Sequence, residues 1–189
     1  IEWAATYDYA NLPDFATSIT ITQNGTIAVA GGSASAINSW DFVTVGYSDN
    51  GTQIYAERIT GTGVGLDQAL AIAKDNSGDI YVTGYTEDGG KKDIQTVKIN
   101  PSHGVDWVKT FDGEHLDDVA QTIGVDINGN VLIAGYTRKA NGGTDFITIK
   151  YDSNGNELWQ QRYRAPIETE IAEAKKLALD NQGNIYLTG

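Results

Sequence analysis

The sequence predicts an all-β fold, a β-propeller built from four-stranded antiparallel blades with a repeat of about 52 residues. Three observations carry this. Trp3, Tyr55, Trp107 and Trp159 are spaced by 52 residues each. Asp41, Asp93 and Asp145 keep the same step, and Gly25, Gly78, Gly129 and Gly183 follow at 53, 51 and 54. A strand-and-turn unit of roughly 40–50 residues matches a propeller blade, whereas a solenoid would repeat every ~20–30 residues.

The third repeat shows the elements in order. Ala120–Asp126 alternates as a first strand and Asn128-Gly129-Asn130 turns it. Val131–Thr137 is a second strand, followed by a polar loop, Arg138–Thr144. Asp145–Asp152 is the third, Ser153–Asn156 its turn, and Glu157–Tyr163 the fourth. Similar turns recur at Asn24-Gly25, Asn50-Gly51, Ser77-Gly78 and Gln182-Gly183. They read as two-residue hairpins, with Asn and Gly supplying the positive φ such loops demand. The first two strands of each repeat are apolar and small (Ile27–Gly32, Ile80–Gly84), which suits positions crowded near an axis. The fourth carries a large aromatic and charge (Tyr55 and Arg58, Trp107 and Lys109, Trp159 and Arg162), which suits an outer edge.

On this phasing residues 1–189 form one propeller segment. Residues 2–8 are the outer strand of a preceding blade, 14–61, 67–112 and 118–164 are blades, and 172–189 is the first half of another. The expected fifteen strands leave the last blade without its third. The ring is therefore expected to be incomplete, to be closed by further blades of a larger propeller or by self-association of copies.

A net charge of −12 argues against nucleic acid, whose phosphates need clustered Lys and Arg. No apolar run approaches the ~20 residues of a bilayer-spanning helix, so no membrane insertion is expected. Cysteine is absent, which removes disulfides and thiolate chemistry, and two histidines make a zinc site improbable.

Asp67–Thr86 (DQALAIAKDNSGDIYVTGYT), its echo at Asp118–Thr137 (DVAQTIGVDINGNVLIAGYT) and Asp145–Tyr163 (DFITIKYDSNGNELWQQRY) resemble the SBBP-type β-propeller repeats of bacterial exported proteins. The resemblance covers nearly the whole chain and implies a secreted or cell-surface bacterial location. It brings no catalytic residues with it. The first repeat departs from the pattern, with Gly31-Gly32-Ser33 where others read Gly-Tyr-Thr, and Gly46 where others have Lys98 and Lys150.

Several residues are candidate sites. Asp14, Asp67 and Asp118 precede the first strands, and Asp41, Asp93 and Asp145 the third strands. Both sets belong on one rim, as loop staples or as ligands for a cation, calcium being the possible cofactor. The D-x-[NSQ]-G-[ND] turns at Asp75, Asp126, Asp152 and Asp180 are too short for an EF-type loop and read as turn chemistry. Tyr9, Trp40 and His115 do not repeat, and so are candidates for ligand contact, such as a sugar platform. Asp8, Asp112, Glu114, Asp117, Glu168 and Glu170 make the connections of that rim acidic. His103 occupies a turn place where other blades carry Asn.

A regular repeat without a singular catalytic motif points to a non-enzymatic scaffold or binding module with a protein or carbohydrate partner. Two alternatives stand beside it. One is part of a propeller enzyme (hydrolase, lyase or dehydrogenase) with its site in the axial funnel; the other is a calcium-stabilised adhesin-like module.

Overall fold

In the computed structural model, which describes residues 2–35, 39–61, 65–164, 167 and 169–189, the chain is a β-propeller arc, with no helix among the described residues. The first blade comprises β1 (Asp14–Ile21), β2 (Ile27–Ala34), β3 (Trp40–Tyr47) and β4 (Gln53–Ile59). The second comprises β5 (Gln68–Lys74), β6 (Ile80–Asp88), β7 (Lys91–Ile99) and β8 (Val105–Phe111). The third comprises β9 (Asp118–Val125), β10 (Val131–Arg138), β11 (Thr144–Tyr151) and β12 (Glu157–Tyr163). β13 (Lys176–Leu179) and β14 (Ile185–Thr188) pair as a further hairpin. Each blade is an antiparallel meander in chain order.

β1 packs on β5, β5 on β9, and β9 on β13, so the first strands form the inner edge of the arc. Small residues permit this. A Cβ at Gly84 or Gly135 would stand 1.9 Å from the carbonyl oxygen of Gln68 or Val119, where the inner strand bulges. The core lies between blades. Phe42 and Tyr55 of the first blade pack with Ile80, Val97 and Ile99 of the second, and Tyr81 and Ile94 of the second with Val131, Ile133 and Ile149 of the third. A lone blade cannot bury both faces, and stacking supplies the partner.

The turns differ from the two-residue form expected. In Asp126–Asn130, Gly129 N donates to the Asp126 carbonyl and Asp126 N to the Asn130 carbonyl, with φ of +78° at Gly129 alone. This is a three-residue loop, a tight turn closed by one left-handed residue. Asp126 Oδ1 accepts from the N–H groups of Asn128 and Asn130, both at 2.9 Å. Asp75, Asp152 and Asp180 bind their own turns the same way. Because the carboxylate fills the loop, one left-handed residue suffices and Asn stays at negative φ. His103, at φ +71°, occupies the place of that glycine rather than of an asparagine, and stacks on Tyr55 with ring centroids 4.1 Å apart.

The expected outer strand over residues 2–8 is not formed, since a fourth strand needs a third beside it and none adjoins this segment among the described residues. Trp3 nevertheless occupies the outer-strand place, packing on Tyr47 at 6.5 Å. Tyr55 likewise lies over Gly46, where a Cβ would fall 1.9 Å from the Tyr55 ring, which explains the missing lysine of the first blade. Phe15 explains its Gly32, with ring atoms 2.5 Å from where a Cβ would be.

Candidate functional site

Strands one and three of a blade run the same way, so their starts share one rim with the loops that follow the second and fourth strands. The recurrent aspartates stand there. Asp67 Oδ2 accepts from Gly61 N at 2.7 Å, and its Oδ1 accepts from the Thr86 hydroxyl at 2.7 Å and Glu87 N at 2.9 Å. It ties the interblade loop to the end of β6. Asp14 accepts from Tyr9 N at 3.0 Å and Asp118 from Gly113 N at 2.6 Å in the corresponding loops.

The third-strand aspartates have unlike surroundings. Asp41 is buried and forms an ion pair with Arg58, whose guanidinium also bonds Ser33 and lies 3.8 Å above the Tyr9 ring. Asp145 is buried and pairs with Lys139 at 3.0 Å. Asp93 forms no ion pair within 4.0 Å among the described residues. Instead it meets Asp112 and Asp118, with one oxygen of each carboxylate within 4.8 Å of the other two.

Strand register explains the difference. Arg58 is opposite Val43 and Arg162 opposite Ile147, but the same place opposite Gln95 holds Thr110. Arg162 reaches the Glu114 carboxylate at 2.6 Å and Thr137 Oγ1 at 3.4 Å. The second blade has no such cation. Asp118 is 1 % exposed; Gly113 N donates to its Oδ2, and the Thr137 hydroxyl stands beside its carboxylate. Burial pushes the Asp118 carboxyl up to about 6; Asp112 and Asp93 add to this, while Thr137 and the Gly113 N–H oppose it. Asp93 is raised by burial and then by Asp112 and Asp88, with His115 and Lys91 opposing.

His115 holds a left-handed backbone at φ +56°, where its N–H donates to Asp112 Oδ1 at 2.8 Å and its Nδ1 lies 2.6 Å from Asp112 Oδ2. Its ring is otherwise open to solvent.

Trp40 lines an open, largely apolar groove of about 320 Å³ with Phe15, Leu66, Asp67, Gln68 and Tyr85. Trp40 and Phe15 rings are 4.9 Å apart, Tyr85 donates its hydroxyl to Gln68 Oε1 at 2.8 Å, and Lys92 Nζ lies 4.1 Å from the Tyr85 ring. Tyr85 pairs with Ile94 and the next residue, Thr86, with Asp93, so groove and carboxylates lie on one rim, where β6 ends and β7 begins, on residues that alternate between the two faces of the blade.

Of the residues singled out by sequence, the structure gathers Asp93, Asp118 and His115 at one blade junction and places Trp40 in the adjoining groove. Asp14, Asp41 and Tyr9 belong to the first blade, Asp67 to the junction before the second, and Asp145 to the third; Glu168 lies outside the described residues. Sequence reasoning missed Thr110, although the interrupted series Arg58, Thr110, Arg162 at steps of 52 was visible. It also missed Phe15 and Tyr85, which carry no signal until the blades are assembled.

No family model matches this chain, and no curated protein matches it. Among solved structures, it is similar to a catalytically inactive variant of virginiamycin B lyase from Staphylococcus aureus with quinupristin, at 12% identity and a TM-score of 0.56. That match covers 96% of this chain and 51% of the lyase, so the chain spans about half the lyase's length. A protein of unknown function from Bacteroides caccae matches at 14% identity and a TM-score of 0.41, over 79% of this chain and 67% of that one. A putative gluconolactonase matches at 11% and 0.42, over 92% and 70%. The expectation of a non-enzymatic chain is corrected by the lyase likeness: a propeller of this fold carries a lyase, so the regular repeat is no ground for excluding catalysis.

Proposed function

We propose that this chain forms part of a β-propeller enzyme acting on a ring-bearing ester or lactone held at the loop-end rim. The observation that carries the reading is the groove of Phe15, Trp40, Leu66 and Tyr85, with Asp67 and Gln68 as its polar members. Aromatic walls with a few convergent polar groups are how small-molecule sites hold and orient a ring. Chemistry is supported by what adjoins it: three carboxylates and an imidazole on the same rim, the kind of set from which general acids and bases are drawn. Quinupristin, present with the similar lyase, supplies a first probe.

The test is Trp fluorescence titration with quinupristin and a panel of five- and six-membered lactones, with ring opening followed by mass spectrometry. We expect saturable binding of at least one probe, weakened at least tenfold in Trp40→Ala, and turnover that falls with it. Absence of both binding and ring opening for every probe sinks the proposal.

A further inference from the structure

We infer that two copies of this chain join head to tail, the β13–β14 hairpin of one seating on the open face of the first blade of the other, with Tyr186 as its anchor. This joint is independent of the enzymatic reading.

The packing between blades continues, by the repeat, onto that open face. The second blade turns Ala69, Ile72, Ile80, Val82, Val97 and Ile99 towards the first, all of them buried. Their counterparts in the first blade are Ala16, Ile19, Ile27, Val29, Val45 and Tyr47. These line an apolar groove of about 610 Å³ together with Trp3 and Tyr7. Trp3 and Tyr7 cover Tyr47 and Val45, as Trp107 and Phe111 cover the matching part of the third blade. The inner half stays bare: Ile72 is 9 % exposed, Ile19 64 %. Residues 3–7 thus stand in for a preceding outer strand, and what the face lacks beside them is the inner strands of a blade. The β13–β14 hairpin is such a pair of inner strands.

Aromatic residues show that the two ends match. Where the second blade meets the third, Trp107 packs against both Tyr81 and Tyr151, with ring centroids 6.0 and 6.1 Å away. At the head of the chain Trp3 and Tyr47 repeat two of these three, 6.5 Å apart. The third member stands at the other end, where Tyr186 of β14 takes the place that Tyr81 has in β6. Its hydroxyl donates to Asp180 Oδ2 at 3.0 Å, as that of Tyr81 donates to Asp75 Oδ2 at 3.1 Å, so both rings are held alike. Yet Tyr81 is fully buried and Tyr186 is 57 % exposed. The first blade carries Ala28 at this place, so the trio does not follow from the repeat alone. Set on Trp3 and Tyr47 of a second copy, Tyr186 completes it and gains the burial of Tyr81.

The joint blade then holds β13 and β14 from one copy and residues 3–7 from the other, with the place of its third strand open to solvent. Two arcs that each span about half of the similar lyase supply the length of one such chain between them. A head-to-tail contact of that span closes at two copies, through two identical joints, instead of running on as a filament.

Light scattering on the chain tests this, with Ile19→Lys on the head face and Tyr186→Ser on the tail hairpin, both at exposed positions. We expect a mass twice that of one chain, falling to that of a single chain in each variant while the circular dichroism spectrum is unchanged. Mixing the two variants should restore a pair, because one of its two joints then brings together unaltered faces; a two-fold contact between like faces gives no such rescue. A single-chain mass for the parent at every concentration would mean that another blade covers the face, and overturns the inference. A pair that either substitution leaves intact, or that mixing does not restore, overturns it as well.

Discussion

The indole Nε1 of Trp107 donates to the carbonyl of Ser153 at 3.1 Å, across the gap between the second and third blades. Trp3 repeats the contact with Asp49 at 2.7 Å, again 46 residues on. At these two junctions the outer-strand aromatic therefore bolts onto the third turn of the next blade. His103 takes the corresponding position against Tyr55 by stacking. Trp107 is packed against Tyr81 and Tyr151, with ring centroids 6.0 and 6.1 Å away.

Trp107→Phe should cost about 1 kcal/mol, the worth of the indole hydrogen bond, and Trp107→Ala about 3–5 kcal/mol by opening the interblade core. At roughly 2–4 °C per kcal/mol for a chain of this size, thermal melting separates the two. Equal melting temperatures for both variants would show that neither contact holds the blades.

Arg58→Leu should destabilise by about 3–5 kcal/mol, because it strands the buried Asp41 carboxylate without its cation. The double variant Arg58→Leu with Asp41→Asn should recover much of the loss. Urea unfolding of the pair and both single variants measures the coupling; simple additivity would refute it.

His103→Ala should destabilise more than His103→Gly. Both lose the stack on Tyr55, but alanine must also hold φ +71°, at a cost of about 1 kcal/mol that glycine avoids. The difference between their unfolding free energies reads that cost directly.

Asp118 imposes a pH dependence of defined sign. Its folded pKa, about 6, lies above the unfolded value of 3.8. Its contribution is therefore fully present below pH 3.8 and is lost as pH rises through about 6. The turn carboxylates act oppositely. Asp180 is held down to about 2 by Asn184, so its contribution exists above pH 3.8 and fades as pH falls towards about 2. Asp118→Asn should flatten the loss of stability between about pH 4 and 6 and raise the Tm at neutral pH. An unchanged slope in melting experiments would mean that Asp118 titrates normally.

What the sequence by itself determined is whatever contiguous residues encode: the 52-residue step, the strand alternation, and turns punctuated by Gly, Asn and Asp. Those are local preferences, and together they make a blade that needs neighbours, hence a propeller. The turn form was a finer matter, decided by the Asp126 carboxylate folding back on its own loop. Only the assembled blades decided which of the equivalent aspartates would meet. Asp93 and Asp118 belong to different blades, and their approach depends on β7 and β9 starting on the same rim and on Thr110 standing where an arginine stands in the blades to either side. The groove of Phe15, Trp40 and Tyr85 arose in the same way, from side chains on separate strands facing one gap. Repetition writes the scaffold into the sequence; departures from it become a site only once stacking sets them side by side.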